Sequence, residues 1–431
     1  MNLNTQTKNQ TNLLYNFKFW LITIILVLIY SSIIFAQNVV YIDPTNQGDP
    51  GQDGSIDHPW DSWSDVSPQS NTSYLQKRGT MEVRSSTLMT LSSSNLHDIY
   101  IGAYGTGERP VIHFDDANGI YLKYTRGITI ENLELVGNYG VTEGVFHKDA
   151  IYISGHTSGT TNTTQTTIRN CKMHRWGCAI TSMTFPGGTI VDTVMVDNVE
   201  IFDIGDDGIF GGIDNLTVQN SHIYRVNRHW YTVGHSQLQS GGDCIHFRGN
   251  NYLIQNNILD RSNTGNKFCL IYGSNSYHPD RGKILWNTFY PPQDTIDDDG
   301  GACIYVSQSA YVEIAYNKFI GRGYTGPYQK PGSGTHLEAD TINFFYNLAD
   351  SVCGFGATIN DFLPDKELNF LNNTFVHQYD QSLPVILTFD TTTAKNNIFA
   401  MEEGVVPFGF YGGFVADTSD NIFVNGNTEN W

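Results

Sequence analysis

"YLIQNNIL", residues 252–259, is a short alternating apolar run that ends at asparagine and is followed by a second apolar pair. The same pattern recurs as "ITIENLEL", "TTIRNCKM", "VMVDNVEI", "LTVQNSHI", "ILWNTF", "VEIAYNKF", "INFFYNLA", "LNFLNNTF", "AKNNIF" and "SDNIF". Asn257, Asn287, Asn317, Asn347, Asn373, Asn397 and Asn421 follow one another at intervals of 30, 30, 30, 26, 24 and 24 residues. Asn132, Asn170, Asn198 and Asn220 precede them, less evenly spaced. Short strands at this period, with no helical segment between them, predict a solenoid of β-coils. Strand alternation puts every second residue inside. An asparagine at the bend tolerates left-handed backbone and can hydrogen-bond its copy one coil away, so the series reads as structural. The expected fold class is all-β, a single-domain solenoid of about 11 coils.

Composition agrees with strands and turns. Of 431 residues only 16% are charged, 13% are aromatic and 42 are glycine. Lys8 and Lys18 precede the apolar run "FWLITIILVLIYSSIIFA", residues 19–36, which reads as a signal peptide cleaved after Ala36. An uncleaved anchor is the competing reading of a run this long. Residues 1–36 are thus assigned to the signal and 37–431 to the β-helix domain. The expected address is exported, periplasmic or secreted, with no stable membrane insertion after cleavage. The mature chain holds 22 Lys+Arg against 43 Asp+Glu, which argues against nucleic acid as a partner. A soluble monomer is expected. The cysteines are Cys171, Cys178, Cys244, Cys269, Cys303 and Cys353. Export permits disulfides, and Cys171–Cys178 is one candidate pair, buried thiols being the alternative.

A second strand follows in several coils. "DAIYIS" (149–154), "DDGIFG" (206–211), "DCIHFR" (243–248), "CLIYGS" (269–274) and "ACIYVS" (302–307) align without gaps. Matching their Ile-aromatic and Ile-His pairs puts Ile151, Ile209, Ile245, Ile271 and Ile304 inside. Tyr152, Phe210, His246, Tyr272 and Tyr305 then face outward, and Arg248 is the next outward position after His246. Matching on Cys244, Cys269 and Cys303 instead turns Tyr272 inward.

Charge marks the same region. Between residues 221 and 283 lie Arg225, Arg228, Arg248, Arg261, Lys267, Arg281 and Lys283, against only Asp243, Asp260 and Asp280. His222, His229, His235, His246 and His278 fall there as well. A basic island in an acidic chain suggests docking of an anionic ligand. The coil containing "RVNRHWYTVGHSQLQSGGD" is overlong, and extra residues in a solenoid go into loops that build sites.

The repeat, together with "VVYIDPTNQGDPGQDGSIDHPWDSW" (39–63) and "IYIGAYGTGERPVI" (99–112), resembles the exported right-handed parallel β-helix carbohydrate-active enzymes, polysaccharide lyases among them. The resemblance spans roughly residues 39–423 and implies fold and exported context. It leaves the reaction open, because this scaffold hosts lyases, hydrolases, epimerases and adhesins. "GDDGIF" resembles one piece of the polygalacturonase acid set, but the later Gly-His-Gly and Arg-Ile-Lys pieces are absent. The calcium-and-lysine motif of the chondroitinase B-like lyases is absent too.

Two chemistries fit the residue types. The first is β-elimination on a uronic-acid polysaccharide or oligosaccharide, by a polysaccharide lyase or a dehydratase acting at a chain end. It needs a base, an acid and a cation at the carboxylate, for which His246, Lys267, Tyr272 and Arg248 are the candidates. Arg225, Arg228, His229, Trp230, His278, Arg281 and Tyr305 are candidates for binding the sugar. The second is glycoside hydrolysis by paired aspartates, drawn from Asp206, Asp207 and Asp243. Those acids could instead hold Ca2+; no other cofactor is implied. A non-catalytic glycan-binding solenoid is the third reading. The basic island ranks elimination first.

Overall fold

The computed structural model describes residues 38–424, apart from 140–147, 156–162, 184–190, 227–241, 262–268, 274–280, 292–301, 322–332, 359–366, 379–385, 389–391, 402–406 and 411–414. Apart from one 3-10 turn at Trp63–Asp65, the regular structure of these residues is β-strand. Every strand pairing is parallel and joins consecutive coils, as a parallel β-helix requires. Each full coil contributes to three ladders. The strand Ile245–Arg248 belongs to the first, Tyr252–Gln255 to the second and Ile258–Asp260 to the third. The first two ladders form one sheet because the long strands Ile209–Gln219, Ala302–Ala315 and Ser333–Phe345 run through both. The core is one continuous apolar column, with Ile120, Ile151, Ile180, Ile209, Ile245, Leu270 and Ile304 stacked on its first-ladder side. No described helix is long and apolar enough to cross a membrane. The segment assigned to the signal peptide lies outside the described residues.

The corner between the second and third ladders explains the asparagines and corrects how they align. Two jobs expected of one residue are divided between neighbours. The first position of the corner is left-handed and is occupied by Asn132, Asn170, Asn198, Asn220, Asn256, Asn372, Asn396 and Asp420. The second faces inward and holds Asn257, Asn287, Asn317, Asn347, Asn373, Asn397 and Asn421. The backbone N–H and Nδ2 of Asn257 both donate to Oδ1 of Asn287, at 2.9 and 3.0 Å, and Nδ2 also donates to the Val218 carbonyl. Asn287 repeats this on Asn317, and so on to Asn421. The earlier asparagines therefore belong to the first column; Cys171, Val199 and Ser221 precede Asn257 in the second.

In three consecutive coils the left-handed position carries Trp286, Tyr316 and Tyr346, with φ of 61°, 60° and 56°. Left-handed backbone costs a bulky L-residue about 1–2 kcal/mol. The rings stack on one another, and an aromatic pair returns about 0.5–1.5 kcal/mol.

Cys171, Cys178, Cys244, Cys269 and Cys303 are buried free thiols, so the Cys171–Cys178 disulfide is not formed. Cys171 lies in the inward corner column beside Val199, and burial pushes its thiol up to about 12.

Candidate active site

The first ladder sets the geometry. Its pairings read Ile209 with Ile245 and Phe210 with His246, then Ile245 with Leu270 and Phe247 with Tyr272. Leu270 in turn pairs with Ile304, and Ile271 with Tyr305. The outward row is therefore Tyr121, Tyr152, Thr181, Phe210, His246, Ile271 and Tyr305. The expected neighbour of His246, Tyr272, is one position out of register. It shares a row with the buried Phe247 and Val306. The cysteine alignment was the correct one: Cys244, Cys269 and Cys303 share a buried column. Isoleucine and tyrosine both suit a strand, so an Ile-Tyr pair does not fix which of the two faces in.

Carried back two residues, the same register stacks Asp149, Cys178, Asp207 and Asp243 at the turn that enters the ladder. Asp149, Asp207 and Asp243 are all buried, and Asp206 is half-buried. The turns are pinned by backbone bonds, Asp206 N–H to the Gly177 carbonyl and Gly208 N–H to the Asp243 carbonyl. The N–H of Asp243 donates to Asp207 Oδ1 at 2.7 Å. His246, three residues on, brings Nδ1 to 3.5 Å from Asp243 Oδ2 and 3.8 Å from Asp207 Oδ2. Its ring meets Phe210 edge-on at 5.2 Å. Gly211, in the adjoining row with Ser182 and Phe247, has φ of 128°, and a Cβ there would run into the Ser182 carbonyl oxygen.

Burial, the adjacent Asp243 carboxylate and Asp206 push the Asp207 carboxyl well above the ordinary range, against the opposing pull of the Asp243 N–H and Arg261. Burial, with help from Asp206, pushes Asp149 up to about 6. Both carboxyls therefore hold a proton more tightly than an exposed aspartate does. Tyr139, whose ring fills the space beside Gly205, is raised by burial and by the Asp206 charge.

Asp207, Asp243 and His246 each offer one ligand atom, all within 4.8 Å of one another. Two carboxylate oxygens and an imidazole nitrogen differ from the all-oxygen set that Ca2+ prefers, and suit a transition-metal ion better.

The basic island does not form one outward patch. Arg261 is fully buried and donates to the Val226 carbonyl at 2.9 Å. Arg225 pairs with Asp203 at 2.9 Å and lies over the rings of Phe202 and Tyr224. Lys283 pairs with Glu313. Arg248 and Arg281 are exposed, Arg248 beside the His246 row, and Tyr305 is half-buried two coils beyond His246. Arg228, His229, Trp230, Lys267 and His278 lie outside the described residues. Sequence reading missed two participants, Asp149 and Arg261. Asp149 headed the first of the aligned strands, so its signal was present; nothing local marked Arg261 as internal.

These features define the chain as a parallel β-helix with an acid cluster at the entrance to its first ladder. No protein-family model and no curated protein matches it. Solved structures resemble it at low identity. The catalytic domain of Agl-KA aligns with a TM-score of 0.49 and 14% identity, over 90% of this chain and 69% of that one. The GH136 lacto-N-biosidase from Eubacterium ramulus gives 0.48 and 13%, over 90% and 68%. An alginate lyase from Paenibacillus sp. str. FPU-7 gives 0.40 and 13%, over 91% and 100%. None of these likenesses assigns a reaction or a substrate to this chain; the fold rests on its own sheet topology.

Proposed function

We propose that this is an exported, carbohydrate-active enzyme that cleaves glycosidic bonds by carboxyl acid–base chemistry at Asp207 and Asp243. One observation carries the reading: a buried aspartic acid, its carboxyl pushed well above the ordinary range, lies against a second carboxylate and an imidazole. A proton donor of this kind is what a leaving glycosidic oxygen needs, because departure as an alcohol avoids a high-energy alkoxide. Asp207 is the general acid. Asp243 keeps the proton on Asp207 by charge repulsion until the leaving oxygen takes it, and His246 lies against both carboxyls. Their reactive atoms lie closer together than the roughly 5–5.5 Å that brackets a sugar between two carboxyls, so the pair works from one side of the substrate. Asp206, on the same turn as Asp207, and Asp149, two coils before it, are the acids available to activate water. Phe210, Tyr152 and Tyr305 offer ring surface along the outward row. If a metal ion binds Asp207, Asp243 and His246, it supplies charge that opposes protonation of Asp207, so activity should be compared with and without chelator.

β-Elimination is the second reading. Exposed Arg248, two residues beyond His246 on one strand, favours it, since a guanidinium there could neutralise a uronate carboxylate. Incubation with uronate and neutral polysaccharides separates the two. Hydrolysis gives new reducing ends without absorbance from a C4–C5 double bond; elimination gives both. New reducing ends that survive Asp207→Asn at full rate would remove the carboxyl reading.

A further inference from the structure

We propose that Trp286, Tyr316 and Tyr346 form a second, non-catalytic carbohydrate-binding surface, which holds the uncharged face of a glycan while the acid cluster works elsewhere on the coil. The inference rests on the glycan-cleaving reading above. The strip occupies the corner between the second and third ladders, whereas the acids sit where the first ladder begins.

Three observations carry it. The first is the residue choice. Elsewhere this left-handed position is Asn or Asp, which accept the backbone readily, yet three successive coils place large aromatics there. Backbone strain in bulky residues argues for a role beyond folding.

The second is presentation. The indole of Trp286 lies 4.3 Å from the Tyr316 ring at an interplanar angle of 6°, and Tyr316 lies 5.3 Å from Tyr346 at 1°. The rings are nevertheless in water, at 56%, 39% and 52% exposure. The stack is bounded by Asn256 on one side and Asn372 on the other, neither of which carries a ring. The outer indole face is thus available to the C–H face of a sugar, and the ring edges form an apolar strip along the helix axis. Exposed apolar strips of this kind mark ligand surfaces.

The third is the polar rail beside the strip. On the strands leading into it, Lys283, Glu313, Asn343 and Asn369 occupy one outward row. Lys283 and Glu313 pair at 3.1 Å, Tyr311 donates to Glu313 at 3.0 Å, and Asn369 Nδ2 donates to Asn343 Oδ1 at 3.0 Å. Lys283 and Glu313 neutralise each other, and the rest of the face carries the two amides, the Tyr311 hydroxyl and Glu367, which accepts from Asn369 at 3.3 Å. That chemistry matches hydroxyl groups in preference to a chain of carboxylates.

The test uses the full chain carrying Asp207→Asn, so that probes are not cleaved, with and without Trp286→Asn. Asparagine is already the residue of the adjoining coils, so this variant is compatible with the backbone. Electrophoretic retardation is measured in gels containing laminarin, hydroxyethylcellulose, alginate or polygalacturonate. The expected result is retardation by a neutral polymer that weakens at least fivefold in Trp286→Asn, while in the otherwise wild-type chain Trp286→Asn leaves cleavage of short soluble substrates unchanged. If Trp286→Asn lowers Tm but leaves retardation intact, the rings serve folding only and the proposal is overturned. Absence of retardation in every gel overturns it as well. So does a dimer in sedimentation equilibrium that Trp286→Asn converts to monomer, because the occupant is then a second copy. Failure of the cleavage reading alone appears differently, as retention without any product from the wild-type chain.

Discussion

The main-chain N–H of Asp243 donates to Oδ1 of Asp207 across one coil, at 2.7 Å. The bond ties one carboxyl oxygen down and leaves Oδ2 toward the imidazole of His246. An asparagine at 207 keeps the carbonyl acceptor but loses the transferable proton. Asp207→Asn should therefore fold normally and lose about 10²–10⁴-fold in turnover, the usual worth of general acid–base help. Reducing-end release and Tm, measured on the same preparation, check both halves.

His246→Ala separates the two chemistries by rank. In the hydrolytic reading His246 supports the acids, so its loss should cost less turnover than Asp207→Asn. In elimination it is the candidate base, and the order reverses. Arg248→Ala should leave cleavage of neutral substrates unchanged and matter only for uronates. Parallel rates for the three variants on one neutral and one uronate polymer decide the order.

Asp149 makes stability depend on pH. Its folded value is about 6, raised from 3.8 chiefly by burial. The folded state therefore binds more protons than the unfolded state between those values. This contribution to stability is fully present below about pH 4 and is lost as pH rises through 6, an amount of roughly 3 kcal/mol. Asp149→Asn should abolish that fall and should be more stable than wild type above pH 7, relative to their difference at pH 4. Urea unfolding of both proteins from pH 4 to 8 measures it.

Asn317→Ala tests the buried ladder. It deprives the Asn287 N–H and Nδ2 of their shared acceptor. Nδ2 keeps its bond to the Ile254 carbonyl, so the N–H is the group left unsatisfied and the loss should be about 1–3 kcal/mol. Substitution in the neighbouring left-handed column, Asn256→Gly beside Asn257, should cost little by comparison. Urea midpoints for the two variants give the contrast.

The fold was legible because period and alternation report on geometry that every coil repeats. Residues such as Ile245 and Ile254 could be placed inside from spacing alone. The site was legible only in part. His246 takes the outward position of its strand, and Asp207 and Asp243 stack at the turn before it. Tyr272 does not share that outward row, because the length of the preceding loop sets its register, and Ile-Tyr satisfies either face of a strand. Arg261 looked like one more surface cation; only the three-dimensional path of the coil turns it inward, toward the Val226 carbonyl. Sequence spacing likewise could not separate the left-handed asparagines from the inward ones, since the two columns are adjacent residues.

The inward asparagines impose an arrow on the molecule. Each donates its N–H and Nδ2 to the oxygen of the next one toward the C-terminus, Asn257 to Asn287 and Asn287 to Asn317. A coil's polar lock thus closes only when the following coil has been laid down, 30 residues later for these two. In a chain threaded N-terminus first through a narrow passage, each new turn would remain provisional until its successor emerged. Assembly would then advance like a zip whose latest tooth is always open, and every turn already formed would gain its final stability from the one behind it.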